Sequence, residues 1–407
     1  MTGCMLNIDL LSEEYLNTLQ LVLNGYIRVK MLWSRRVVFS RIGFVLLLLT
    51  LYLIYKNFSR PKLEYGPRPT LRELETYPIY EYTSFYRLQS DIKFENSLDQ
   101  KLISIERAAR AFGSETIISN HTIWQFASAD EKRLWSTWAA QWDHMNPDWT
   151  HHIFMSPPDD LLDVFRSVPE ITDTMKAVLP IQKDLLRYLL LWYYGGLYAS
   201  INTWSRFSLK DCEPITTALH NLSIGLMIGV HVDEPYLSPR TISEWGWLRG
   251  FKFSQDVVWA PRRFNPLLRT AIVRTISHMR TQQATGRNLG IGYATKAQIL
   301  EEISGAAMFT DIVLEFLSAF LSADDKLRDP DAGIARRVTW KYFSRLKKPI
   351  WIKGENRTES YEIPGLAVLP VHVWSNGQAH SHAGSDSVED ACINQLHNVY
   401  IRKTWLG

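Results

Sequence analysis

From about Ser119 onward the chain alternates two kinds of apolar pattern. Short runs suited to strands, HTIWQF (121–126) and HHIFM (151–155), flank a stretch of helical period, EKRLWSTWAAQW (131–142), which ends at the turn NPDW (146–149). Asp159 to Ser167 and Asp184 to Trp192 repeat the helical period, each followed by strand or turn signals, and Gly225 to Val232 reads as a further strand. Within LRYLLLWYYGGLYASINTW (186–204) an apolar helix runs into Gly195-Gly196, which let the backbone turn, and then into the short strand Leu197-Tyr198-Ala199. This alternation predicts an α/β domain with helices on both faces of a mostly parallel sheet, whose ligands bind beyond the carboxyl ends of the strands. The segment after Gly195-Gly196 is one such end.

The longest apolar run lies elsewhere. VVFSRIGFVLLLLTLYLIY (37–55) would form a helix about 28 Å long, close to the ~30 Å of a bilayer core. Arg41, one turn from its start, can snorkel to the headgroups. No small-residue cleavage site follows, which favours a retained anchor over a removed signal, a buried core helix being the other reading. Arg28, Lys30, Arg35, Arg36 and Arg41 crowd its N-terminal side against Lys56, Arg60, Lys62 and Arg68 beyond it, a slight positive-inside bias. The sequons at Asn120, Asn221 and Asn356 all follow the run. Together these predict a type II membrane protein with a cytoplasmic tail (1–36), an anchor (37–55), a stem (56–112) and a lumenal domain (113–407). The stem assignment rests on Pro61, Pro67, Pro69 and Pro78 and on the lack of a long clean period.

A composition of 46% hydrophobic and 21% charged residues over 407 positions is that of a globular chain with a sizeable core. The net charge of +3, with no basic run interleaved with aromatics, argues against a nucleic-acid partner. Fifteen Trp, eighteen Tyr and seventeen Phe suit stacking on nucleotide or sugar rings, and equally a core of large side chains. Cys212 and Cys392, the only cysteines after the apolar run, leave a disulfide and two free thiols equally open and exclude a cysteine-based metal site.

Taken in order, HTIWQ (121–125), NPDW (146–149), LPIQKDLLRYLLLWYYGGLYASINT (179–203), FSQDVVWAPRRFNPLL (253–268), SGAAMFTDIV (304–313) and HAGSDSVED (382–390) resemble glycosyltransferase family 32, and within it the initiation-specific α-1,6-mannosyltransferase-like proteins of the fungal Golgi. The resemblance covers about Ser119 to Trp405. It implies a GT-A fold, a Rossmann-like nucleotide-sugar-binding sheet. It further implies retaining mannosyl transfer from GDP-mannose to a mannose-terminated N-glycan or mannan, with Mn²⁺. A second branch of the same resemblance transfers mannose to inositol-phosphoceramide.

Family members carry Asp-x-Asp where this chain has Ser200-Ile201-Asn202. A divalent cation held by hard oxygens neutralises a diphosphate leaving group, so loss of both carboxylates removes two negative charges from its cradle. Three readings follow. The ion is held by the diphosphate with Ser200, Asn202 and His382; or fixed cations, Lys183 first, take its place; or the chain is an inactive pseudoenzyme serving as a binding subunit of a glycosylation complex.

Other candidates divide between functional and structural roles. Asp184 and Arg187, three apart on one helix face, suit either the sugar nucleotide or an intrahelical ion pair. By resemblance Tyr188 joins them at the donor, Trp124 and Gln125 border the nucleotide, and Gln255 and Asp256 lie toward the acceptor. Asp311 is either a helix-capping carboxylate or, by resemblance, a catalytic group near the reacting carbon.

Overall fold

The computed structural model describes residues 50–51, 84–111, 118–220, 223–285, 296–333, 336–358 and 361–396. The chain divides into two compact units, Met1–Pro61 and Lys62–Gly407. In the first, only Thr50 and Leu51 are described, and they are helical. The expected tail, the rest of the anchor and the stem up to residue 83 lie outside the described residues.

Eleven strands are described in the second unit: β1 Thr122–Phe126, β2 Thr150–Phe154, β3 Gly196–Ala199, β4 Thr203–Ser205, β5 Ile224–Asp233, β6 Phe251–Ala260, β7 Ile350–Ile352, β8 Glu355–Thr358, β9 Tyr361–Ile363, β10 Gly365–Leu369 and β11 Ile393–Gln395. Seven form one sheet in the order β2-β1-β3-β6-β5-β10-β7. β2, β1 and β3 are mutually parallel, as are β5 and β10. β6 runs antiparallel between β3 and β5, and β7 antiparallel on β10. Five strands therefore share one direction, and the expected mostly parallel sheet is present with β6 inserted against the grain. From β1 the chain moves outward to β2 and then returns to the other side of β1 as β3. The order reverses between β1 and β3, which opens a crevice at their carboxyl ends.

The strand sequences explain their place. β1, TIWQF, is buried at every position, as a central parallel strand covered on both faces must be. One face of the sheet packs in a core with Leu185, Leu189, Phe253, Ile272 and Phe309, and the other in a core with Trp142, Leu197, Ile215, Val257 and Trp374.

The helices that shape the site are α1 Ile92–Ala111, α2 Ala129–Leu134, α3 Ser136–Met145, α4 Leu179–Tyr193, α5 Pro266–Thr285, α6 Lys296–Ile303 and α7 Ala306–Phe320. α4 carries Pro180 in its first turn, where a missing N–H costs nothing, and is buried from Leu185 through Trp192. A helix apolar nearly all round belongs inside a fold, and a polar residue on it is there for a reason. α1 corrects the expected stem. Phe94, Leu98, Leu102, Ile105 and Ala109 make a narrow stripe on this charged helix that joins the main core, so the folded body extends N-terminal of residue 113. Ala297–Phe320 is apolar and long enough to cross a membrane, but 61% of its apolar window is buried in the fold, which makes it a core element.

Cys212 and Cys392 are disulfide-bonded across 180 residues of sequence, with Cα atoms 5.6 Å apart. The bond ties the segment leading into β11 to the core beside β4, and β11 pairs antiparallel with β4. A second local feature shapes the site. Ile228 pairs with Val258 and Val230 with Phe253, so residues 254–257 of β6 bulge opposite Gly229. Bulges re-aim side chains, and this one carries Gln255 and Asp256.

Candidate functional site

Beyond β3 the backbone closes into a tight turn. Thr203 N–H and Oγ1 both donate to the Ser200 carbonyl at 3.0 and 2.6 Å, and Gln125 Nε2 donates to the same oxygen at 3.3 Å. Asn202 is tied to the C-terminal segment: its carbonyl accepts from Leu396 N–H, and its Nδ2 donates to the Leu396 carbonyl, each at 3.0 Å.

Opposite Ser200 stands Asp256. Ser200 N–H donates to the Asp256 carbonyl at 2.7 Å, and Ser200 Oγ donates to Asp256 Oδ1 at 2.9 Å. Gln395 Nε2 donates to Oδ2 at 2.7 Å, and His231 Nδ1 lies 3.7 Å from that oxygen. The carboxylate stays 33% exposed, so these contacts leave it open to a ligand. Burial pushes its pKa up, but the charges of His231 and Arg187 and the hydrogen bonds from Gln395 and Ser200 outweigh this and hold it below the usual carboxylate range.

α4 supplies the second part. Arg187 Nη1 donates to Asp184 Oδ1 at 2.8 Å, and Ser304 Oγ donates to Asp184 Oδ2 at 2.7 Å. Arg187 is only 5% exposed, so the intrahelical ion pair is a buried one, and its guanidinium lies 4.5 Å over the Tyr198 ring. Its Nε has no hydrogen-bond partner among the described residues. Burial, aided by the Asp256 charge, raises the Asp184 pKa against the pull of Arg187 and Ser304. For Arg187, burial works toward loss of the proton, but Tyr198, Asp184, Tyr188 and Asp256 prevail and raise its pKa.

Around this pair runs a buried polar frame. Tyr188 Oη donates to the Ser304 carbonyl at 3.0 Å, and Gln255 Nε2 donates to the same carbonyl at 3.0 Å and to Tyr188 Oη. Gln255, expected toward an acceptor, is thus an internal strut between β6, α4 and the start of α7. Burial raises the Tyr188 pKa, so its hydroxyl keeps its proton as a donor.

The remaining expected residues are placed as follows. Trp124 is buried and donates from Nε1 to the Gly195 carbonyl at 2.7 Å. It pins the turn from below. Gly196, at φ +94°, packs so closely on it that a Cβ would lie 2.8 Å from Trp124 Nε1. Gln125 Oε1 meets His151 Nε2 at 3.0 Å. Lys183 Nζ is 2.7 Å from Glu131 Oε2, and Glu131 completes the capping box of α2 with Ser128. Its charge is therefore already matched. Asp311 lies in the second turn of α7, whose N-cap is Gly305, and accepts from both Arg249 Nη atoms, with Nη2 at 2.9 Å from Oδ2. The capping role is thereby excluded. Beside it, burial and the Asp311 charge push the Glu302 carboxyl up to about 7. His382 is exposed with a left-handed φ of 51° and lines a cavity of about 550 Å³ with Asp233, Arg345, Lys347 and His372. It makes no hydrogen bond to the Ser200 and Asp256 cluster among the described residues.

Sequence reasoning missed His231, Gln395 and Ser304. They reach the site through strand pairings and helix contacts distant in sequence, and only Ser304, within SGAAMFTDIV, belongs to one of the family-like blocks.

The donor set does not fit a resident Mn²⁺. No group of three His, Cys, Asp or Glu side chains converges among the described residues, and the turn at Ser200 and Asn202 meets a single carboxylate, Asp256. What the arrangement offers instead is a buried guanidinium with a free N–H, a half-open carboxylate and a polar frame that fixes both. Such fixed dipoles and charges bind and orient a polar ligand without reorganising.

In comparison with known proteins, 53% of the chain aligns at 25% identity, over 232 residues, with 54% of the Saccharomyces cerevisiae protein named "Putative glycosyltransferase HOC1". Likewise 54% of the chain aligns at 23% identity, over 250 residues, with 62% of the Candida albicans "Initiation-specific alpha-1,6-mannosyltransferase". The chain spans less than two thirds of the length of either relative. Both matches agree with the resemblance carried by the sequence blocks. No protein-family model matches the chain. The solved structure titled "PaToxG Glycosyltransferase" aligns over 56% of this chain and 81% of its own at 13% identity, with a TM-score of 0.28, a likeness too loose to bear on function.

Proposed function

We propose that this protein is a glycosyltransferase that moves a mannosyl group, with retention, from GDP-mannose to a mannose-terminated N-glycan or mannan acceptor, as a type II protein of the Golgi membrane. The observation that carries the reading is the buried Asp184 and Arg187 pair, with an unpartnered guanidinium N–H, next to the switch point between β1 and β3. A buried charge pair is an expensive element in a core and adds little stability that apolar residues would not. A guanidinium fork is chemically suited to a phosphate or sugar hydroxyl. Similarity to the Candida albicans relative, which is named a mannosyltransferase, supports the choice of a mannosyl group.

The residues divide the work. Arg187 binds the donor, Asp184 and Ser304 hold Arg187 in place, and Tyr188 and Gln255 brace that assembly from behind. During transfer the bond from the anomeric carbon to the diphosphate oxygen breaks, the acceptor hydroxyl oxygen bonds to that carbon, and its proton passes to the departing diphosphate of GDP. A second reading, a binding subunit without catalysis, is favoured by one observation: Asn202 has its amide N–H engaged by the Leu396 carbonyl.

Calorimetric titration of the full-length chain with GDP, GDP-mannose and UDP-glucose tests the donor assignment. GDP compounds are expected to bind at least about tenfold more tightly than the uridine compound, a difference of about 1.4 kcal/mol. Equal or absent binding of all three would refute the assignment.

A further inference from the structure

β1, β3, β5 and β10 run in one direction, so the carboxyl ends of β5 and β10 lie at the same edge of the sheet as the Ser200 turn. Asp233 ends β5 and Leu369 ends β10, and the cavity of about 550 Å³ opens just beyond them. Its size is that of a small-molecule site. It shares no residue with the cluster around Asp184 and Arg187. Yet Asp233 stands only two residues, about 7 Å along a strand, beyond His231, which lies 3.7 Å from Asp256.

The backbone around this cavity is held in an unusual state. Among the described residues five that are not glycine have a left-handed φ, and three of them, Arg345 at 57°, Ser381 at 60° and His382 at 51°, line it. Such conformations are costly for a residue with a side chain and persist only where the surroundings impose them. Two buried acids do so here. Ser344 Oγ donates to Asp233 Oδ1 at 2.6 Å, and Arg345 N–H donates to Oδ2. Ser381 N–H donates to Glu234 Oε1 at 2.6 Å, and Asp233 N–H donates to Ser381 Oγ at 2.8 Å. The end of β5 thus clamps two loops, and the strained residues in them put Arg345 and His382 in the cavity wall. Strain gathered on one cavity and fixed by buried carboxylates marks a binding site.

The lining suits a neutral, hydroxyl-rich ligand. Arg345 and Lys347 bring two cations and Asp233 and Asp390 two carboxylates, so no charge is in surplus to draw in a phosphate. His372 Nε2 lies 4.0 Å from Asp390 Oδ2. Burial, against the Asp390 charge, holds the His372 pKa below the usual histidine value, so at pH 7 its ring is neutral and offers one donor and one acceptor. Leu346, Val371 and Val388 supply an apolar wall. Balanced donors and acceptors beside such a wall match a pyranose, whose hydroxyls both give and take hydrogen bonds and whose C–H face is apolar. We propose that this cavity is a saccharide-binding subsite that seats the acceptor glycan, with Arg345, Lys347, His372, His382 and Asp390 as its hydrogen-bonding groups. Its role as the acceptor's seat rests on the transferase reading above; its character as a sugar site rests on the lining alone.

The test titrates the full-length chain, in a detergent without a sugar headgroup, with a mannose oligosaccharide as probe. Wild type should bind it in the absence of nucleotide. Glycine accepts a left-handed φ freely, so Arg345→Gly and His382→Gly remove a side chain and spare the loop. Each should weaken oligosaccharide binding at least tenfold, with a melting temperature no lower than that of Arg336→Gly. Arg336, at φ 45°, is not part of the cavity lining, and its glycine variant should bind as wild type does. Binding that is absent from wild type, or unchanged in both cavity variants, would overturn the proposal. So would competition by inorganic phosphate, which would mark an anion site. Titration with GDP separates this inference from the donor reading. Arg345→Gly should bind GDP as wild type does, and an equal loss of GDP would place Arg345 at the donor and overturn the subsite. If wild type binds GDP but no oligosaccharide, only the acceptor subsite falls. If it binds no GDP while oligosaccharide binding still depends on Arg345 and His382, the donor reading fails and the sugar site stands.

Discussion

Arg187→Ala is expected to remove donor turnover and to destabilise the fold at once. Asp184 would be left buried with its charge uncompensated, and breaking a buried pair in this way costs about 3–5 kcal/mol. Turnover should fall by at least roughly a hundredfold, the scale for removing one preorganised charged donor. Two companions separate the effects. Arg187→Lys keeps a charge but not the planar fork, and should retain more stability than activity. Asp184→Leu combined with Arg187→Met should recover much of the stability, because apolar pairs of similar volume replace buried ion pairs well, while turnover stays lost. Urea unfolding beside an activity assay reads both. A double variant as stable as wild type and equally active would show that the pair is only structural.

Opening the bond between Cys212 and Cys392 is expected to have an effect of similar size. It closes a loop of 180 residues, and removing such a link costs about 2–5 kcal/mol. The loss should not be uniform. Cys392 lies three residues before Gln395, whose amide holds Asp256, so freeing β11 should loosen that carboxylate before the main sheet opens. Thermal melts of wild type and Cys392→Ala, with and without reductant, measure the stability, and nucleotide titration measures the site. Reductant that lowers the wild-type melting temperature and leaves Cys392→Ala unchanged is the predicted pattern. A reductant-insensitive wild type would contradict it.

How much of this could be read from the sequence depends on which interactions are local. β1, β2, α4 and the Gly195-Gly196 turn were legible, since each is written in one continuous run with a strong period. α1 was not, because its apolar stripe from Phe94 to Ala109 is one residue wide among charges, and the prolines before it read as stem. Asp311 looked like a cap because an apolar stretch follows it; the helix in fact begins earlier, at the Gly305 turn. Gln255 and Asp256 are neighbours that the β6 bulge sends to different surroundings, one into the frame around Ser304 and the other to Ser200. No periodicity announces a bulge. Lys183 looked free because Glu131 lies 52 residues away, and Gln395 reaches Asp256 across 139 residues. Local patterns therefore located the scaffold and the empty cradle, and tertiary pairing decided which side chains fill it.

Whether this site transfers a sugar from an activated donor, despite Ser200 and Asn202, is decided by following radiolabelled mannose from GDP-mannose to a mannose oligosaccharide. The purified full-length chain is assayed with Mn²⁺, with EDTA and as Arg187→Ala. Labelled product is expected from the wild-type chain, and none above background for Arg187→Ala. Absence of product with Mn²⁺ from a wild-type chain that still binds GDP would contradict transfer and leave the protein as a binding subunit.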